Sequence, residues 1–261
     1  PDFQNLVMDE RLNSKRDLKA MSILALGLMP QGHEEIVPFL MKAMTDRNLD
    51  RIVRAQAPIA IGKLHELQEG GSSAALASLG ECVNLFQNDK TDLHLKRSLA
   101  VAIGMLATMD DPSVLRALYT AVENDSDDQI RHYSMMALAQ IGARDANVAQ
   151  NVNAHTELEK FFDRELTKPK RITHQPYGAL GLAVYVRNEG LEGAVERAAE
   201  KIAEAFERTN NPSYQGAMAV SLGLLNWNAA EGILWEKFED SNDQPLRDYI
   251  ALALGLMRAN N

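Results

Sequence analysis

The sequence predicts an all-α solenoid of about seven stacked helix pairs, and three observations point to it. A short motif recurs at helix-pair spacing, and apolar residues flank every copy at helical period. The composition, 46% hydrophobic with only 6% aromatic residues, suits helices that pack through small and flexible side chains better than it suits sheets.

The motif is a small residue, then Leu or Ile, then Gly. It stands at Ala25-Leu26-Gly27, Ala60-Ile61-Gly62, Ala102-Ile103-Gly104, Ala179-Leu180-Gly181, Ser221-Leu222-Gly223 and Ala253-Leu254-Gly255. A seventh copy, Ala137-Leu138-Ala139, has alanine in place of the glycine. The anchor positions 27, 62, 104, 139, 181, 223 and 255 are 35, 42, 35, 42, 42 and 32 residues apart. Each interval is long enough for two helices and two turns.

Apolar residues nine before each anchor (Leu18, Val53, Leu95, Ile130, Ile172, Tyr214, Leu246) and two after it (Met29, Leu64, Leu106, Ile141, Ala183, Leu225, Met257) complete one amphipathic face. Twelve residues before the anchor stand Lys15, Asp50, Asp92, Asp127, Pro169, Asn211 and Asp243. An Asp or Asn there caps the helix, because its side-chain oxygen accepts from otherwise unbonded N–H groups. Lys19, Arg54, Lys96, Arg131 and Arg247, eight before the anchor, are placed to reach an acidic or carbonyl partner in the next unit. The glycine itself implies close helix approach, since glycine within a helix costs about 1 kcal/mol relative to alanine.

Partner helices are expected over about 34–46, 72–88, 112–124, 148–166, 191–209 and 228–239. Turn residues separate them, among them Asp111-Pro112, Asn211-Pro212 and the run Asn124-Asp125-Ser126-Asp127-Asp128. The residues before 14 read as the remaining half of a first pair. One helix pair cannot bury its apolar stripe alone, so neighbouring pairs stack on one continuous core.

The spacing of Asp, Arg, Ala-Leu-Gly and the following apolar residue resembles the HEAT repeat, and it is similar to the short bacterial form also found in phycobilisome lyases. The resemblance covers nearly the whole chain. It implies a right-handed α-solenoid forming a single domain over 1–261, with the second helix of each pair on a concave surface. On that surface the positions ten, seven and six before the anchor form one stripe. It is bland in the first two copies (Asp17, Ala20, Met21, Ile52, Ala55, Gln56). In the third to fifth it becomes polar and aromatic, with His94, Arg97, Ser98, Gln129, His132, Tyr133, Arg171, His174 and Gln175. The expected function is therefore a non-catalytic scaffold or adaptor that holds an acidic or polar segment of a protein partner. A lyase-like or other small-molecule-handling enzyme is the alternative that the same resemblance allows.

The charge sets the chain against nucleic acid. Its formal net charge is −9, and the densest basic stretch is Lys168-Pro169-Lys170-Arg171, whereas phosphate recognition needs a basic stripe. Trp227 and Trp235 read as packing residues rather than as stacking platforms for bases. No apolar run reaches the roughly eighteen residues of a membrane span. Cys82, the single cysteine, sits between apolar neighbours and reads as core.

No catalytic or metal site is expected, and no cofactor. His33-Glu34 and His65-Glu66 are His-Glu pairs like those of deoxyhypusine hydroxylase, a helical-repeat di-iron family. That family carries the pair near the start of the second helix, where this chain has His132-Tyr133 and His174-Gln175. Gly70-Gly71 lacks the lysine and hydroxyl of a phosphate loop. Carboxylates along Glu192–Glu207 read as a salt-bridged solvent face. The chain starts at Pro1 rather than Met, and its last apolar run, Tyr249–Met257, has no following helix to cover it. It is thus expected to belong to a longer protein, or to meet a partner through the uncapped last repeat.

Overall fold

The computed structural model describes residues 2–12, 15–191 and 193–259. Asn13 and Ser14, in the segment expected to complete a first pair, and Glu192, at the start of the expected salt-bridged face, lie outside the described residues. The chain forms two compact units, residues 1–137 and 138–261. Both are built only from helices and turns, with no strand among the described residues.

The first unit holds α1 (Asp2–Met8), α2 (Arg16–Leu26), α3 (His33–Thr45), α4 (Arg51–Glu66), α5 (Ser73–Ala77), α6 (Leu79–Gln87), α7 (Leu93–Leu106), α8 (Pro112–Asn124) and the first part of α9 (Asp128–Ala143). Within it α3 packs on α4 and α6 on α7, which gives the pairs, while α2 packs on α4 and α4 on α7, which stacks them. The second unit continues from the end of α9 through α10 (Val152–Thr167), α11 (Gln175–Tyr185), α12 (Ala194–Arg208), α13 (Pro212–Leu224), α14 (Glu231–Asp240) and α15 (Gln244–Ala259). There the pairs are α10–α11, α12–α13 and α14–α15, stacked through α11–α13 and α13–α15. This order of pairing and stacking is that of an α-solenoid, the fold that the repeat predicts.

The anchor glycines supply the stacking contact. A Cβ on Gly27 would lie 2.6 Å from Ala60 Cα, and one on Gly223 would lie 2.7 Å from Ala253 Cα. In both cases the anchor glycine of one second helix meets the anchor's small residue in the next, backbone against backbone. Gly181 instead faces the ring of Phe162 in its own pair, which leaves no room for an added Cβ. Gly27 has an ordinary helical φ of −66°, so it is space and not backbone freedom that selects glycine there.

The caps form where the spacing places them. Asp50 and Asp92 accept from N–H groups of the first turns of α4 and α7, and Asn211 does so for α13. Asp127 and Asp243 accept from Ile130 and Leu246 in the same way. One basic residue eight before the anchor reaches forward as expected: Lys96 lies 2.8 Å from Asp125, in the turn that opens the next second helix. Arg131 instead donates to the Asp125 carbonyl in its own turn, and Arg247 lies over the Phe238 ring.

Three local expectations need correction. The helix predicted over 72–88 is interrupted at Ser78, whose hydroxyl donates to the Ala75 carbonyl at 2.6 Å and competes with the helical ladder there. The fifth second helix starts only at Gln175, after a 3₁₀ turn at Ile172–His174. Pro176, in the first turn of that helix, has no N–H to bond the carbonyl of residue 172, which favours a start at this point. Ile172 is in consequence 61% exposed and not part of the apolar face; Leu18 is exposed too. Cys82 is fully buried, as expected, and burial pushes its thiol up to about 11.

Gly27→Leu and Gly181→Leu should each lose about 1–3 kcal/mol in urea unfolding through overpacking. Gly255 meets nothing within 4 Å, and Gly255→Ala should instead keep or raise stability, by up to about 1 kcal/mol from helix propensity. Equal losses at all three positions would show that the glycines do not act through close contact.

Candidate functional site

The stripe read from the sequence separates into two environments. His94 and Arg97 lie on α7, held by the Asp92 cap, and Gln129 and Tyr133 lie on the first two turns of α9, held by the Asp127 cap. These four line one cavity of about 220 Å³ together with Ile52, Ala55, Gln56 and Ile59 of α4 and Ser98 and Val101 of α7. The helical periods of α4, α7 and α9 thus bring one line of residues from each to the same groove.

Arg97 is anchored at the rim. Its Nε donates to Asp127 Oδ1 at 3.0 Å and its Nη2 to Oδ2 at 2.5 Å, a two-pronged pair in which both side chains are mostly buried. These bonds from Arg97 hold the Asp127 carboxyl below the usual carboxylate range against the opposing effect of burial, and the Ile130 N–H adds to them. Within the groove Ser98 donates to the His94 carbonyl and Gln56 to the Ile52 carbonyl, so both turn donors back onto their own helices. Gln129 is exposed, and Tyr133 is 37% exposed.

The remaining stripe residues are placed differently. His132 is buried at 9% exposure. In the second unit Arg171 is exposed, while Gln175 donates to the Leu166 carbonyl at 3.0 Å. His174 is 2% exposed and lies 2.9 Å from Glu165, which also bonds Arg164. Burial pushes the Glu165 carboxyl up, but the bonds from His174 and Arg164 outweigh it and leave it lowered.

A second buried polar cluster was not legible as a site. His155 Nε2 lies 2.8 Å from Asp145 Oδ2, and His155 Nδ1 lies 3.1 Å from the Tyr185 hydroxyl. Asn151 also donates to Asp145, and Asn188 donates to the carbonyls of Gly142 and Asp145. Burial raises the Asp145 carboxyl, and hydrogen bonds from the Asn147 N–H, Asn151 and His155 more than offset it. The His155 and Asp145 side chains are each 4% exposed, so the cluster ties a turn to two helices rather than meeting solvent. The sequence does carry a trace of both clusters: His155 and Glu165 fall on the stripe of Leu158, Phe161, Phe162 and Leu166, where a polar residue needs a partner.

The expected salt-bridged face is present on α12, where Lys201 pairs with Asp163 at 2.7 Å and Glu196 accepts from the Trp227 indole at 3.0 Å. Trp235 packs edge-on against Phe238. Among the described residues no group of three or more His, Cys, Asp and Glu side chains is arranged to hold a metal ion, and no helix is long and apolar enough to cross a membrane.

No family model matches the sequence, and no curated protein matches it. Solved structures do resemble it. An engineered protein matches with a TM-score of 0.52 at 17% identity, over 86% of this chain and 98% of that one. The likeness is one of fold. Human deoxyhypusine hydroxylase in complex with glycerol has a TM-score of 0.37 at 18% identity, over 98% of this chain and 83% of its own. A designed armadillo repeat protein has a TM-score of 0.43 at 14% identity, over 98% of this chain and 99% of its own.

The Arg97–Asp127 pair predicts a pH dependence. The folded Asp127 carboxyl titrates below its unfolded value of about 3.9, so the pair stabilises fully above that value. Its contribution is lost as pH falls through the lower, folded value. Asp127→Asn should therefore cost on the order of 1 kcal/mol at neutral pH and flatten the acid limb of a urea-stability profile below about pH 4. An unchanged acid limb would remove the pair from the account.

Proposed function

We propose that this chain is a non-catalytic interaction scaffold of the short bacterial HEAT type, and that it holds a protein partner in the groove across α4, α7 and α9. The observation that carries the reading is the convergence of His94, Arg97, Gln129 and Tyr133 on one cavity with an aliphatic floor. Such a patch combines an aromatic anchor, adaptable hydrogen-bonding groups and desolvatable apolar surface, the mixture found at binding hot spots. The net charge of −9 weighs against nucleic acid as the partner.

A second reading, a lyase-like or other small-molecule-handling enzyme, draws on a different feature. The groove is smaller than the roughly 300–1,000 Å³ typical of small-molecule sites. A cavity of about 720 Å³ in the second unit does fall in that range, lined by Arg144, Asp145, Arg187, Asn188 and Glu189 among others. Its only deeply buried polar side chains, Asp145 and Asn188, are already engaged in holding the turn, which favours the scaffold.

The test compares the chain with a His94→Ala, Gln129→Ala, Tyr133→Ala variant as baits in affinity capture from the native organism. The scaffold reading expects a specific partner on the unaltered bait and at least ~10-fold less on the variant, the loss of a hot-spot aromatic being worth about 2 kcal/mol. Equal capture by both baits, with the variant folded, would contradict it.

A further inference from the structure

Resting on the reading that this groove binds a partner, we infer that its occupant is an uncharged segment that lays one aliphatic side chain on Ile52, Ile59 and Val101, rather than an acidic segment. The basic residues of the stripe, read from the sequence alone, invite a carboxylate. In the groove itself the pairing of Arg97 with Asp127 weakens that invitation.

Arg97 is the one formally cationic residue in the lining. The Nε and Nη2 edge of its guanidinium is occupied by Asp127, and Asp127 in turn caps α9 through the Ile130 N–H. An incoming carboxylate that took this edge of Arg97 would displace Asp127 and strip the helix cap, and one that met the Nη1 side would find a cation whose charge Asp127 already balances. The displacement also leaves a mostly buried Asp127 without its counter-ion, and breaking such a pair is unfavourable. The neighbouring cation Lys96 is likewise held, by Asp125 at 2.8 Å. The Arg97–Asp127 pair is neutral overall and the lining holds no other Lys, Arg, Asp or Glu, so charge complementarity favours a neutral occupant.

The rest of the lining says what kind of neutral occupant. Ile52, Ile59 and Val101 are half-buried and Ala55 is buried, so the floor offers aliphatic surface that is only partly desolvated. Ser98 and Gln56 send their donors to carbonyls of their own helices, which keeps the floor apolar in character. Gln129 and Tyr133 stand exposed at the rim, and an amide and a phenol hydroxyl there suit the backbone of an inserted segment. The volume of about 220 Å³ suits a single side chain with its flanking backbone.

The experiment uses the full chain, labelled at Ile, Leu and Val methyls, titrated in NMR with two blocked tripeptides, Gln-Leu-Gln and Gln-Asp-Gln. Saturable shifts at Ile52, Ile59 and Val101 with the leucine peptide alone are the expected result. The double variant Ile52→Thr, Val101→Thr, which keeps β-branching at both positions and whose fold is checked by its unshifted remote methyls, should weaken that binding at least ~5-fold. Binding of the aspartate peptide as tightly as the leucine peptide, or an undiminished affinity in the folded double variant, would overturn the inference while leaving the groove a binding site. Saturable shifts with neither peptide would overturn both the inference and the groove reading on which it rests.

Discussion

Close contact between successive second helices is the constraint on which the rest of this structure depends. Gly27 against Ala60 and Gly223 against Ala253 bring two helix backbones to a distance that no larger side chain permits. With that spacing set, the flanking leucines and isoleucines of each anchor are forced into the same layer, and residues such as Ile61, Leu99 and Ile103 become fully buried. The contact also fixes which helix face is left over. Positions ten, seven and six before the anchor of α7, and ten and six before that of α9, line one groove.

Polar side chains then fix what packing leaves undetermined. Helix starts are held by Asp50, Asp92, Asp127, Asn211 and Asp243, and the turns between pairs by residues that serve more than one group. Asp127 both caps α9 and grips Arg97, while Asp125 takes Lys96 through its carboxylate and Arg131 through its carbonyl. In the second unit the pairs Asp145–His155 and Glu165–His174 do comparable work from inside. This dual use explains why basic residues on a regular stripe need not be free for a partner.

How much of this was legible in the sequence follows from the range of each interaction. The motif, its period and the caps are local, so the helix pairs and their order could be read directly. The start of α11 shows where local reading went astray: the apolar period continues back to Ile172, but a 3₁₀ turn precedes Pro176 and that side chain is exposed. Ser78 interrupts its helix by a hydroxyl bond that composition does not announce. At the groove, the alignment of His94, Arg97, Gln129 and Tyr133 was predictable from the repeat. The commitment of Arg97 to Asp127, thirty residues on, was not, because it depends on how one pair sits on the next, and neither was the inward turn of His174 towards Glu165, which depends on how α10 and α11 close on each other. The charge pattern alone therefore suggested an acidic partner, and the paired charges suggest a neutral one.

The central claim is that the face formed by α4, α7 and the start of α9 is where this solenoid meets its partner. Hydrogen–deuterium exchange of the chain, alone and bound to the partner it captures, tests this most directly. The account predicts that protection gained on binding concentrates in residues 51–59, 93–101 and 128–133. Protection gained elsewhere, with those three segments unchanged, would contradict it.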